Sequence, residues 1–238
     1  MFLMLGCLLL LQSTLLYGWK WTLRFFSLGM LLGFMSEYAG THWGFVFGHF
    51  IDSGWEQFLI LGAVPLATPI SWAILIYISY NMTNLAYFGF GGSSSPSGNW
   101  FFRVLLVLCL CAVDGLICMN SDMIFDPVMV SPQKRLWVWT RGGLYFDIPI
   151  SNFVGSFLVG FIATFLVRIC EIRTEGFRLI GNRAVHYLPV LVYLIICVTL
   201  SGSAIRLGYP HYALIGVACM APFVAVLAVA FWVRICRT

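Results

Sequence analysis

Residues 101–119 read FFRVLLVLCLCAVDGLICM. Apart from Arg103 near the start and Asp114 in the interior, every position is apolar or small. A helix of about 20 such residues, rising 1.5 Å each, crosses the roughly 30 Å hydrocarbon layer of a bilayer. Six more stretches have the same character: Met1–Gly18, Leu23–Ala39, Phe58–Tyr80, Ile150–Cys170, Tyr187–Ser203 and Tyr212–Trp232. The expected fold is all-α, a polytopic membrane protein with a bundle of about seven transmembrane helices. Residues 1–238 form a single integral membrane domain.

Composition agrees. The chain is 61% hydrophobic and 9% charged, against about 25% charged in soluble domains. A soluble enzyme domain is excluded, because no loop is long enough to hold one. The net charge of +4 sits mostly in short loops and reports topology rather than nucleic-acid binding. One face collects Lys20, Arg24, Arg103, Arg168, Arg173, Arg178, Arg183, Arg234 and Arg237; the other collects Lys134, Arg135, Arg141 and Arg206. The richer face is expected to be cytoplasmic, which places the C-terminus inside and the N-terminus outside. The first apolar stretch has no basic n-region and no small-x-small cleavage site, so it reads as a retained helix.

Phe88–Asn99, FGFGGSSSPSGN, reads as a flexible connector, and Glu171–His186 as a basic one. Asn81-Met82-Thr83 fits a glycosylation sequon but falls on the expected cytoplasmic side, so it is discounted. Cys7, Cys109, Cys111, Cys118, Cys170, Cys197, Cys219 and Cys236 are scattered without C-x-x-C pairs and read as small buried hydrophobes.

Connectivity brings the acids together. Alternating helices place Glu37, at the end of the second, near Asp122 and Asp126, at the end of the fourth. Asp147 and Asn152 open the fifth helix and Pro65 lies early in the third. Asp52 and Glu56 join the same membrane face. Polar groups in spanning segments are expensive and face the bundle interior. Asp122 and Asp126 are spaced i, i+4, so they share a helical face, and Pro127 marks the expected helix end. Two close carboxylates do not both ionise cheaply, so such a pair keeps a proton available; a solvated pair, or one paired with Lys134 or Arg135, is the structural alternative. Glu37 sits among Phe34, Met35, Tyr38 and Trp43, an apolar setting that favours a protonated carboxyl. His42 and His49 share a face only if their segment is helical, and Gly40, Gly44 and Gly48 argue against that. With four histidines and no H-x-x-H-H box, a membrane di-iron site is excluded and no metal ligand set is assigned.

Aromatics crowd this face: Tyr38, Trp43, Phe45, Phe47, Phe50, Trp55, Trp72, Trp137, Trp139 and Tyr145. They suit an interfacial belt, and equally a pocket whose ring faces stabilise a cation.

Four motifs carry a resemblance. Glu37, Gly40, Gly44, Val46, Phe47, Gly48, Phe50 and Asp52 follow E-x-x-G-x-x-x-G-x-P-F-G-x-Y-x-Y, with Val46, Phe50 and Asp52 departing from it. Gly62, Val64, Pro65, Pro69 and Trp72 complete G-x-V-P-x-x-x-P-x-x-W. Ser121, Asp122, Phe125, Asp126 and Pro127 follow W-D-x-x-L-D-P, with Ser121 for tryptophan and Phe125 for leucine. Tyr145, Asp147, Ile148, Pro149, Asn152, Phe153, Gly155 and Ser156 follow Y-x-G-[IV]-P-x-x-N-F-x-G-W, with Asp147 for glycine and Ser156 for tryptophan. In order over Glu37–Ser156, these resemble the membrane carotenoid hydratases, which act on gamma-carotene or bisanhydrobacterioruberin.

The resemblance implies water addition to a terminal C=C bond of an isoprenoid or carotenoid through a tertiary carbocation, with no cofactor. It implies Glu37, Asp122, Asp126 and Asn152 as catalytic residues. Tyr38, Trp43, Phe47, Phe50, Trp72, Tyr145 and Phe153 would line the substrate site. Gly40, Gly44, Gly48, Pro65, Pro127 and Pro149 would shape the backbone, with Gly44 and Gly48 admitting the polyene end closely. The partners are a hydrophobic isoprenoid or carotenoid and membrane lipid. Two other readings stand beside it: a proton-initiated membrane terpene or carotenoid cyclase, and a non-enzymatic transporter using the acids as a proton relay.

Overall fold

The computed structural model describes residues 2–52, 58–89, 99–173 and 183–235. Trp55, Glu56, Arg178, Arg237, Cys236 and most of the Gly/Ser connector lie outside them. Among the described residues seven α-helices follow in order: α1 Phe2–Tyr17, α2 Trp19–Trp43, α3 Ala67–Phe88, α4 Trp100–Val130, α5 Ile150–Arg173, α6 Leu188–Arg206 and α7 Pro210–Ile235. Among the described residues four segments are long and apolar enough to cross a membrane: Trp100–Val130, Ile150–Glu171, Val185–Arg206 and Pro210–Val233. The chain is an all-α integral membrane bundle.

The third helix is the central one. Unlike the outer helices it is buried on nearly all sides from Trp72 to Leu85. Its polar side chains are tolerated because neighbours satisfy them. Tyr17 donates to Asn81 Oδ1 at 2.7 Å, and Tyr77 donates to Gln12 Oε1 at 2.6 Å. Asn81 is therefore a buried interhelical anchor, not a loop sequon.

Helix α4 packs most extensively against α5. Glycines allow the contact: a Cβ on Gly115 would sit 2.6 Å from the Phe157 carbonyl oxygen, and one on Gly160 would sit 2.7 Å from Cys118 Sγ. Helices α2 with α3, and α6 with α7, complete the main pairs.

Several boundaries differ from expectation. Phe58–Leu66 is not helical: β2 (Leu59–Ile60) and β3 (Val64–Pro65) form a small hairpin. Leu61 and Gly62 turn it with φ of 51° and 68°. Helix α2 runs through Gly40 to Trp43, so His42 is helical and His49 is not. Helix α4 does not end at Pro127 but continues to Val130. Glu171 belongs to α5 rather than to a loop, and Arg168 is buried inside the bundle, so it does not report topology. Cys111, Cys118 and Cys197 are buried, whereas Cys7, Cys109 and Cys170 lie on the outer helix surface.

One end of the bundle carries the ends of α2, α4 and α6 and the starts of α3, α5 and α7. There β1 (Phe50–Asp52) pairs antiparallel with β4 (Trp137–Trp139), Phe50 opposite Trp139. This ribbon ties the α2–α3 connection to the α4–α5 connection.

Candidate active site

The acids meet at that end. Helix α4 presents Asp122 and Asp126 one turn apart, and antiparallel α5 presents Asn152 and Ser156 one turn apart. The two ladders match. Asn152 Nδ2 donates to Asp126 Oδ2 at 2.5 Å, and the Ser156 hydroxyl donates to the Asn152 carbonyl at 3.0 Å, on the face turned toward Asp122. Asp126, Asn152 and Ser156 are buried and Asp122 is half-buried. Glu37 enters from α2, where Trp72 Nε1 donates to its Oε1 at 2.7 Å. Asp126 lies in the electrostatic field of both Asp122 and Glu37. Neither the solvated pair nor an ion pair with Lys134 describes Asp126, which is buried against an amide.

Pro127 explains the local geometry. It has no N–H, so the carbonyl of Met123, four residues back, loses its helical partner. Tyr145 fills the vacancy, donating its hydroxyl to that carbonyl at 2.6 Å. Burial first, and nearby charge including Asp126, holds the Tyr145 phenol above its ordinary pKa. It therefore remains a protonated donor at neutral pH. The helix continues past its proline, and both aspartates stay on one face.

Aromatic side chains form the wall. Phe47 is 2% exposed and stacks on Trp72 with ring centroids 5.7 Å apart. Phe153 meets Tyr145 edge-on at 5.1 Å. Phe50 packs on Trp139, whose Nε1 donates to the Phe47 carbonyl at 3.0 Å. Tyr38 and Trp43 stand apart: Tyr38 stacks on His42 at 3.9 Å, and Trp43 is 73% exposed. Gly44 caps α2 in the left-handed conformation, φ 66°. A Cβ on Gly48 would lie 3.2 Å from Pro149 Cγ, so this glycine approaches the chain's own α5 entry. Gly40 packs under Phe50, and Pro65 is buried in β3.

Two motif departures now have a backbone context. Asp147 has φ 64° beside Phe146 at 51°, in a two-residue turn closed by both Tyr145–Ile148 backbone bonds. Glycine occupies such positions without strain, and aspartate tolerates them. Val46 has φ 73°, which proline, locked near −65°, cannot adopt.

The chain matches the family model described as carotenoid biosynthesis protein over residues 1–223. The chain belongs to the carotenoid biosynthesis protein family. No curated protein and no solved structure matches it. In this member of the family, all four sequence motifs contribute side chains to one end of the bundle. Among the described residues no group of three His, Cys, Asp or Glu side chains is arranged to hold a metal ion.

Sequence reasoning undervalued Ser156 and Trp139 as site residues. Ser156 had a readable signal: it follows Asn152 by four residues, the spacing that separates the two aspartates. Trp139 carried only the alternation of Trp137-Val138-Trp139. The same i, i+4 ladder continues along α5 through Gly160 and Thr164 to Arg168. There Arg168 Nη2 and Nε donate to Asp114 Oδ2 at 2.8 and 3.2 Å. Its Nη1 donates to Asn84 Oδ1 at 2.5 Å, and Tyr80, beneath the guanidinium, donates to Glu171. This second polar cluster sits deeper, toward the opposite end.

Proposed function

We propose that this carotenoid biosynthesis protein adds water to a terminal C=C bond of an acyclic carotenoid or related isoprenoid. The carrying observation is the meeting of Glu37, Asp122 and Asp126 with Asn152 and an aromatic wall at one end of a membrane bundle. A protonated carboxyl delivers its proton to the less substituted alkene carbon, and the π pair forms the new C–H bond. The other carbon becomes a tertiary cation, faced by the rings of Phe47, Trp72, Tyr145 and Phe153. Water attacks that carbon through oxygen and then loses one proton to a carboxylate, which restores the acid. Asn152, bonded to Asp126, positions the carboxylate that receives it. The chemistry asks for no redox equivalent. General acid catalysis of this kind contributes about 10²–10⁴-fold.

A polyene of carotenoid length matches a hydrocarbon layer of about 30 Å, so its end meets the acids where water enters. In the same proposal the N-terminus is outside and the C-terminus cytoplasmic.

A cyclase reading is favoured by one feature. Ser121 and Ser156, both buried, stand where the motifs carry tryptophan, so the wall beside Asp122 differs from the hydratase pattern, as a pocket shaped for a folded chain whose internal alkene captures the cation would. The test is turnover of an acyclic carotenoid by membranes carrying Asp122→Asn, Asp126→Asn or Glu37→Gln. Loss of at least a hundredfold in one or more, with unchanged protein levels, is expected. Full activity in all three removes the acid assignment.

A further inference from the structure

The ring of Phe47 fills a slot left by two glycines. A Cβ on Gly40 would sit 3.4 Å from Phe47 Cδ2, and one on Gly155 would sit 2.7 Å from Phe47 Cδ1. Gly40 follows Glu37 by three residues on α2, and Gly155 follows Asn152 by three on α5. Each glycine therefore lies one turn from an acid-site residue, on the same side of its helix. The third side of the slot is Trp72, which stacks on the ring and donates to Glu37. Phe47 thus packs against all three helices that supply Glu37, its Trp72 donor and Asn152.

The backbone that delivers this ring is strained. The Phe47 N–H donates to the Phe45 carbonyl at 3.0 Å across Val46, whose φ is 73°. A three-residue turn of that hand is rare, and a β-branched residue has little steric room in it. Such a conformation persists only where surrounding contacts over-determine it. One of those contacts is the bond from Trp139 Nε1 to the Phe47 carbonyl, at 3.0 Å and buried.

Against the same turn opens a cleft of about 620 Å³. His49, Thr140, Arg141 and Ser151 give it polar walls, and the half-buried Gly48 and the buried Trp139 line it as well. A Cβ on Gly48 would lie 3.2 Å from Ser151 Oγ, so the cleft reaches the first turn of α5, beside Asn152. Gly48 borders the cleft while its neighbour Phe47 is buried at the acid site. A polyene reaches the acids from the hydrocarbon layer. Water needs a separate polar route, and this cleft ends one side chain short of the acids.

We infer that the cleft is the port for the reacting water, with Phe47 as its stopper and Trp139 as the latch that seats it, a role that rests on the hydration reading. Phe47 and Trp139 then set how readily water, rather than an internal alkene, meets the cation.

Two readouts test the port in the full-length protein in phosphatidylcholine nanodiscs. The first does not depend on turnover. Ser156→Cys puts a thiol on the acid-site face of α5, and its labelling by a cationic, water-soluble methanethiosulfonate is followed by peptide-resolved mass spectrometry. Adding Phe47→Ala, or Trp139→Phe, which keeps a ring but loses the donor, should speed that labelling about tenfold or more. An unchanged rate at position 156 in both backgrounds would overturn the stopper. So would an equal rise at the native buried Cys111, which reports general loosening. The second readout is turnover of an acyclic carotenoid. Ser151→Cys should match the parent until the same reagent fills the cleft, and then lose about tenfold or more in kcat with KM unchanged. Gln133→Cys, exposed in the same α4–α5 connection but outside the cleft, should lose nothing on labelling. Full kcat after complete labelling at position 151, or a raised KM with kcat kept, would overturn the port. A parent that forms no hydrated product would remove the hydration reading instead, and the labelling rates at position 156 would still decide whether the stopper exists.

Discussion

Replacing Tyr145 by phenylalanine removes one hydroxyl and keeps the ring that meets Phe153 at 5.1 Å. The lost bond is the 2.6 Å donation to the Met123 carbonyl, which Pro127 has deprived of its helical donor. Leaving this part-buried carbonyl unsatisfied costs about 1–2 kcal/mol, the lower part of the range for a fully buried one. The structure also says how to undo the damage. Pro127→Ala restores an N–H four residues after Met123, in position to close the helical bond. In that background Tyr145→Phe should cost under about 0.5 kcal/mol, so the double-mutant cycle should give a coupling of about 1–2 kcal/mol. The assay is reversible unfolding in mixed micelles for the four proteins, with α4 helicity followed in parallel. Additive effects, with coupling under about 0.3 kcal/mol, would refute the claim that Tyr145 exists to cap the proline-broken turn that presents Asp122 and Asp126.

Other consequences follow from the same contacts. Trp72→Phe preserves the stack on Phe47 but deletes the donor to Glu37, a bond worth about 1–2 kcal/mol; turnover of an acyclic carotenoid should fall about tenfold with little change in melting temperature. Asp114→Asn leaves Arg168 buried without its counter-charge and should destabilise the protein by about 3–5 kcal/mol in unfolding assays, whereas replacing both partners by leucine and methionine should cost much less. Asp147→Gly relieves a left-handed residue and should stabilise by about 0.5–1 kcal/mol in a thermal melt, while Val46→Pro, incompatible with φ 73°, should cost about 3 kcal/mol or more.

The helices were legible because uninterrupted apolar runs have one cheap solution in a bilayer. The acid cluster was legible because i, i+4 spacing and alternating connectivity are both one-dimensional facts. What escaped depends on partners distant in sequence. Phe58–Leu66 is apolar enough for a helix, and only its hairpin partner strand makes it β. Pro127 reads as a stop, and the Tyr145 hydroxyl that lets α4 pass through it lies in another segment. Arg168 counts as one more topology-reporting charge until Asp114 and Asn84, from two other helices, surround it.

The most direct measurement of the central claim is the mass of the product formed from an acyclic carotenoid in ¹⁸O-labelled water. Acid-initiated hydration predicts a product heavier than the substrate by one labelled water, lost when the site carboxylates are replaced. An isomer of unchanged mass would show that an internal alkene, not water, captures the cation, and would contradict the account.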